Sequence, residues 1–267
     1  MRFQIDHDLH IHSQLSTCSQ HPEQTNENLL RYAKEHGLRT ICLTNHFWDS
    51  VVPGGSDWYA PQNYEHLAKA LPLPQDENVT FYFGCETDLN RDLTLGISKE
   101  RFSQFDFVII PTTHLHMNGF TIDKEAGVAE RADAYVKRLD KVLSMDLPFH
   151  KIGLAHLACR LIMRNGPIDE VLNSISDQTL EGLFKRAAEL GVGIELNGSD
   201  FELTRPENHM AATVRLFTIA KEQGCKFYLG SDSHKPEHLE PRFATFERAV
   251  TLLNLTEDDK YHPAFGR

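Results

Sequence analysis

Long apolar runs, cysteine pairs and basic clusters are all missing from this chain. No stretch approaches the ~18 consecutive apolar residues of a membrane helix, so no spanning segment is expected. The five cysteines, at 18, 42, 85, 159 and 225, are odd in number and include no C-x-x-C pair. They suggest no disulfide framework and fit a reducing cytoplasm. Lys and Arg number 27 against 38 Asp and Glu, a net charge of -11, so the clustered basic charge that long nucleic acids require is absent. A small anionic substrate stays open, because bound cations reverse the local field. The start, MRFQIDHDLHIHS, lacks the charged lead and unbroken apolar core of a signal peptide. Linkers, repeats and low-complexity tracts are also lacking, so 1–267 reads as a single domain. With 40% apolar and 24% charged residues, the chain can bury a full core.

Histidine, by contrast, is abundant, with 15 residues, and the question is whether these converge. Seven short apolar segments each end in polar residues: FQIDHDLHIH (3–12), RTICLTNH (39–46), VTFYFGCETD (79–88), FDFVIIPTTH (105–114), KIGLAHLA (151–158), VGIELNG (192–198) and KFYLGSDSH (226–234). Most are rich in β-branched and aromatic residues and are predicted as buried strands. Helical spacing marks 25–37, capped by Thr25 and stopped by Gly37, and also 64–71, 124–143, 178–190, 210–223 and 241–253. Strand and helix alternate almost throughout, which predicts parallel strands wrapped by helices. In a barrel of that kind the active site gathers at the C-terminal strand ends.

Six of the seven segments carry His, Asp or Glu at that end: His10 and His12, His46, Glu86, His114, His156, and Asp232 with His234. Each alone is as easily a satisfied polar residue, but barrel geometry brings the ends together. His10 and His12 stand two apart and face one side of an extended strand. Asp8 shares their parity and is expected to hold a ligand imidazole through its far nitrogen. Imidazoles with two carboxylates suit zinc, iron or manganese better than magnesium or calcium. The donors are too many for one ion, so two or three divalent ions are expected, with Glu86 bridging.

DLHIHS, LTNH, GCE, TTH, LAHL and GSDSH, in that order, resemble the signatures of the PHP (polymerase and histidinol phosphatase) superfamily, from about residue 6 to 236. FWDSVVPG after LTNH and the segment after LAHL are similar to its histidinol-phosphatase-like branch. The resemblance implies a distorted (β/α)7 TIM-like barrel, in agreement with the seven segments. It implies metal ligands at His10, His12, His46, Glu86, His114, His156, Asp232 and His234, and it adds His21, which follows Cys18 in the loop after HxH. Three departures stand out. Asn45 precedes His46 where relatives carry an acid, Ser199 stands where some histidinol phosphatases carry a phosphate-binding arginine, and His116 makes TTHLH a second HxH. Arg160, Arg164 and Arg205 are candidate phosphate ligands, a guanidinium fork matching phosphate oxygens, and resemblance favours Arg164.

The implied activity is hydrolysis of a small phosphate monoester, histidinol phosphate among them, by a metal-activated hydroxide in a di- or trinuclear site. Asp232 and His234 are the candidates for managing the leaving-group proton. Alternatives are a small-substrate phosphodiesterase or nucleotide-acting nuclease of the same superfamily, and a non-catalytic metal-bound regulatory or docking protein. An amidohydrolase-type barrel is disfavoured, because the third strand offers Glu86 and no bridging lysine. Trp48 and Trp58 serve either as a lid or as loop packing. His7, His36, His66, His150, His209, His238 and His262 are expected to be structural or solvated.

Overall fold

The structure is a computed structural model that describes residues 1–164, 166–207 and 210–265; His209 lies outside them. Its parallel strands are β1 (His7–Ile11), β2 (Thr40–Leu43), β3 (His46–Phe47), β4 (Thr80–Thr87), β5 (Phe107–Pro111), β6 (Ile152–Ala155), β7 (Gly193–Asn197) and β8 (Lys226–Gly230). They are ordered β1-β2-β4-β5-β6-β7-β8, with β3 also paired to β4. The helices are α1 (Asn26–Glu35), α2 (Tyr64–Leu67), α3 (Val128–Leu143), α4 (Ile168–Asn173), α5 (Asp177–Leu190), α6 (Ala211–Glu222) and α7 (Pro236–Leu252). Because β3 resumes the second strand after Thr44 and Asn45, the barrel has seven strand positions, as expected. Thr25 caps α1 by accepting the Asn28 N–H. The sequence placed the last helix from Pro241, yet α7 starts at Pro236, whose missing N–H is no loss in the first turn, and Pro241 lies within it. The short α4 was not foreseen.

Alternation sorts each strand between two cores. Outward residues such as Val108, Ile110, Leu154 and Leu196 pack under the helices. Inward residues Leu9, Cys42, Phe107, Ile109, Ala155 and Tyr228 fill the barrel with Tyr261. Glycine makes the room for these rings: a Cβ on Gly153 would run into the Tyr228 ring. The C-terminal segment closes the N-terminal end of the barrel. Tyr261 donates its N–H to Phe227 O at 2.7 Å, and Phe265 stacks on Tyr82 with centroids 3.6 Å apart.

The first and last strands meet in an irregular seam, which is the distortion of this barrel. Among the described residues, Ile11 and Ser233 alone form a parallel bridge there. Side chains replace part of the ladder, His7 Nε2 accepting the Leu229 N–H at 3.0 Å and Asp8 Oδ1 accepting the Ser231 N–H at 2.9 Å. Asp8 therefore closes the barrel and does not hold an imidazole, contrary to the parity expectation. The cause is a register shift between Asp8 and Ile11, which breaks the alternation. No helix among the described residues is long and apolar enough to cross a membrane.

Two stability measurements check this packing. Phe107→Ala, at a fully buried ring, is expected to cost about 3–5 kcal/mol, read as a lower urea midpoint at unchanged slope. At the barrel base, burial opposes the charge on Asp6, but His7 and Lys260 prevail and hold its pKa at about 2, against 3.8 ordinarily. A depressed carboxyl stabilises fully above its unfolded pKa, and that contribution fades as pH falls from about 3.8 through about 2. Asp6→Asn should flatten acid unfolding in that window, and an unchanged acid limb would refute the assignment.

Candidate metal centre

The strand ends deliver six imidazoles and two carboxylates to one place above the inner core. Register sets the central contact, since His46 of β3 lies directly opposite Glu86 of β4. Glu86 Oε2 is 2.7 Å from His46 Nδ1, 3.4 Å from His12 Nε2 and 3.6 Å from His10 Nε2. Its Oε1 is 3.1 Å from His156 Nε2 and 3.8 Å from His114 Nε2. Asp232 Oδ1 stands 3.2 Å from His12 Nε2 and 3.5 Å from both His10 Nε2 and His234 Nδ1. Three donor groups result: His10, His12 and Glu86; Glu86, His114 and His156; and His12, His46 and His234, with ligand atoms inside each group within 4.8 Å of one another. Glu86 and His12 are each shared by two groups.

These residues fit divalent cations on their own geometry. His46 Nδ1 and Glu86 Oε2 are buried without a hydrogen-bond partner, even though they lie close together. Such orphans are costly unless something else satisfies them. His10 Nδ1 donates to Glu195 Oε1 at 2.6 Å, which turns its Nε2 lone pair toward His12 Nε2 at 3.1 Å. Two ring nitrogens facing each other with carboxylate oxygens alongside make a donor set for zinc, iron or manganese.

The chain behind the donors fixes them. Glu195, the sole acid of VGIELNG, accepts from His10 with one oxygen and from the His156 N–H at 2.6 Å with the other. A Cβ on Gly230 would collide with that carboxylate, so the glycine of YLGSDSH makes space for a buried acid on the neighbouring strand. Asp88 Oδ2 accepts from His114 Nδ1 at 2.9 Å, while its Oδ1 receives the fully buried Arg138 at 2.6 Å. His156 and Asp232 adopt left-handed backbone, with φ of 36° and 51°. Non-glycine residues rarely sit there, and such strain clusters at functional sites. Here backbone bonds hold it, Thr113 Oγ1 donating to His156 O at 3.0 Å and the Asp232 N–H to His10 O at 2.7 Å.

Glu195 and Asp88 escaped sequence reading. Glu195 sits inside a strand rather than at its end, and Asp88 follows a stronger candidate in GCETD; their one signal was an acid on the inward-facing parity of a buried strand. His21 is not among the converging residues: its Nδ1 accepts the Glu23 N–H at 3.2 Å. Cys18 comes to the cavity instead, on the same wall as His46 and His234. Asn45 accepts from Ser13 N at 2.8 Å and from Ser16 Oγ at 2.9 Å, so the amide that replaces an acid ties down the loop after β1. Between the two imidazoles of TTHLH, His114 stands beside Glu86 and His156. His116 lines the cavity, and burial followed by the neighbouring His114 push its pKa to about 3.

Burial works against charge on every donor. Glu86 nonetheless stays well below the usual carboxylate range through His46 and His10, and Asp232 does so through His10 and His234. His10 is raised well above the ordinary imidazole value by Glu195, Asp232 and Glu86, which outweigh its burial. His12 is pushed well below by burial and by His234 and His46. The ionised carboxylates demand positive charge at this spot, which a divalent cation meets directly.

A cavity of about 480 Å³ opens over the cluster, walled by Trp58, Tyr59, Met117, Leu161 and Arg164. Trp58 meets the His46 ring edge-on at 4.9 Å, whereas Trp48 is buried behind it. Arg164 also borders a neighbouring depression that holds Arg160, Ser199 and Arg205. Arg160 is exposed, 3.9 Å from Glu202, and Arg205 is bound by Asp169 and Thr213. Of the three candidate arginines, Arg164 faces the cluster.

Comparison with known proteins agrees with this picture. The PHP domain matches residues 8–199. Two proteins named "Probable phosphatase", from Shewanella sp. (strain ANA-3) and Shewanella oneidensis, are each 26% identical over 95% of this chain and 84% of theirs. Among solved structures, histidinol phosphate phosphatase from Lactococcus lactis, complexed with zinc, L-histidinol and phosphate, matches with a TM-score of 0.60. It is 20% identical, over 93% of this chain and 92% of that one, a likeness of fold.

Removing the charge behind His10 tests the centre. Glu195→Gln is expected to keep the fold by circular dichroism and to weaken zinc or manganese binding about 10–100-fold, as loss of a carboxylate partner to a ligating histidine does. Unchanged affinity in a chelator competition would show that Glu195 serves only the barrel.

Proposed function

The chain belongs to the PHP domain family, and from that premise we propose a metal-dependent phosphatase that cleaves a small phosphate monoester. One observation carries this reading: the Glu86 carboxylate stands between two imidazole sets at the floor of a cavity, with the Arg164 guanidinium on its wall. The relatives named as phosphatases support it. So does the acidic protein as a whole, which suits a small anion drawn to bound cations over a nucleic-acid polymer.

We assign His10, His12, His46, Glu86, His114, His156, Asp232 and His234 as the holders of two or three ions of zinc, manganese or iron. Bound there, such ions supply Lewis acidity, lowering the pKa of water and neutralising charge on phosphate oxygens. Arg164 binds and orients the phosphate, a fork-shaped donor opposite the cluster. Ser199 cannot take that part, because its hydroxyl donates to Asn197 Oδ1 at 2.5 Å. We assign management of the leaving-group proton to His234 or Asp232, both of which line the cavity. Trp58 lines the cavity beside the His46 ring. The Lactococcus protein was crystallised with L-histidinol and phosphate, which makes histidinol phosphate the first substrate to try.

Metal-stripped protein reloaded with Mn²⁺ should release phosphate from L-histidinol phosphate or another small monoester, and His10→Ala should fall to the stripped level. Arg164→Ala is expected to raise KM about 10–100-fold, the loss of one charge-assisted pair of about 1.5–3 kcal/mol. Cleavage of a diester such as bis(p-nitrophenyl) phosphate with no turnover of any monoester would replace this reading with a phosphodiesterase. Full ion content with no turnover of either ester would point to a docking or regulatory role.

A further inference from the structure

We infer that Cys18 is a sulfur ligand to the ion held by His12, His46 and His234, which makes that position softer than the two built from nitrogen and oxygen around Glu86. This deepens the metal-dependent reading above and presupposes it.

The loop after β1 is built to present this thiol. Ser16 Oγ donates to Asn45 Oδ1 at 2.9 Å and receives the His46 N–H at 3.1 Å. On the other side of Cys18, Ser19 Oγ donates to His234 O at 2.8 Å. Cys18 is thus pinned between the two residues it must reach, and it lines the cavity together with both imidazoles. The His46 imidazole beside this loop is itself buried, and its Nδ1 makes no hydrogen bond although Glu86 Oε2 lies 2.7 Å away. Three imidazoles leave one corner of a tetrahedral site to fill, and thiolate with imidazole is a zinc set.

Asp232 Oδ1 is a rival for that corner, 3.2 Å from His12 Nε2 and 3.5 Å from His234 Nδ1, but it stands equally close to His10 Nε2 at 3.5 Å and so is shared with the inner group. His21 is engaged by the Glu23 N–H. Cys42, Cys85, Cys159 and Cys225 are buried, and Cys18 is the exposed one. Cys159 Sγ does approach a site histidine, 3.6 Å from His156 Nδ1, but that is the nitrogen opposite the one facing Glu86. It therefore sits behind the ligand ring and serves as the internal control.

Cobalt substitution tests the assignment with a readout independent of turnover. The full-length protein loaded with Co²⁺ should show a near-ultraviolet thiolate-to-cobalt charge-transfer band. Cys18→Ser should abolish the band and release one ion per chain to a competing chelator, with circular dichroism unchanged, while Cys159→Ser and His21→Ala keep both. Persistence of the band in Cys18→Ser, its loss in Cys159→Ser, or loss of the ion in His21→Ala would overturn the inference. If Cys18→Ser binds the same number of ions as tightly as the parent, this assignment alone falls. If the parent binds no divalent ion, the metal-dependent reading falls with it.

Discussion

The Glu86 carboxylate reaches into two halves of an imidazole cluster, and its burial leaves it no water to fall back on. One oxygen lies among His10, His12 and His46, the other between His114 and His156. A buried carboxylate must be met by positive charge or hydrogen bonds, or it does not stay ionised. The ends of β1, β3, β5 and β6 contribute to meeting it, and the left-handed backbone at His156 and Asp232 is tolerated because neighbouring strands hold those residues in place.

The supporting network is as much a feature of the barrel as of the site. Glu195 links the His10 ring to the His156 backbone across the inside of the sheet, and Gly230 has no side chain because that carboxylate occupies the space. Asp88 divides itself between His114 and the buried Arg138 of α3, so one imidazole is oriented by a helix on the outside of the barrel. Asp8 and His7 complete the seam where the ladder between first and last strands fails. Closure of the fold and orientation of the donors therefore use the same few polar side chains.

Three donor groups chained through shared residues give the centre a graded character. The two groups around Glu86 share its one carboxylate and are wholly buried, while the group of His12, His46 and His234 holds no carboxylate and has a partly exposed member, His234, on the cavity wall with Cys18. Arg164 lines the same cavity as this cluster, on a chain of net charge -11.

Much of this was legible in the sequence, for a physical reason: buried strands announce themselves by composition, and barrel topology carries their C-terminal ends to one rim. DLHIHS, LTNH, GCE, TTH, LAHL and GSDSH fixed which residues meet. The interior acids were hidden, because Glu195 and Asp88 look like ordinary strand residues until pairing sets them beside His10 and His114. Parity misassigned Asp8, since a shift in register inside β1 breaks the alternation on which parity depends. The loop after β1 was equally out of reach, because spacing alone does not say whether Cys18 or His21 turns inward; hydrogen bonds from Ser16 and Ser19 to strands distant in sequence decide that. Local pattern determined the strands and the donors they carry, while pairings between residues far apart in the chain decided which side chains hold those donors in place.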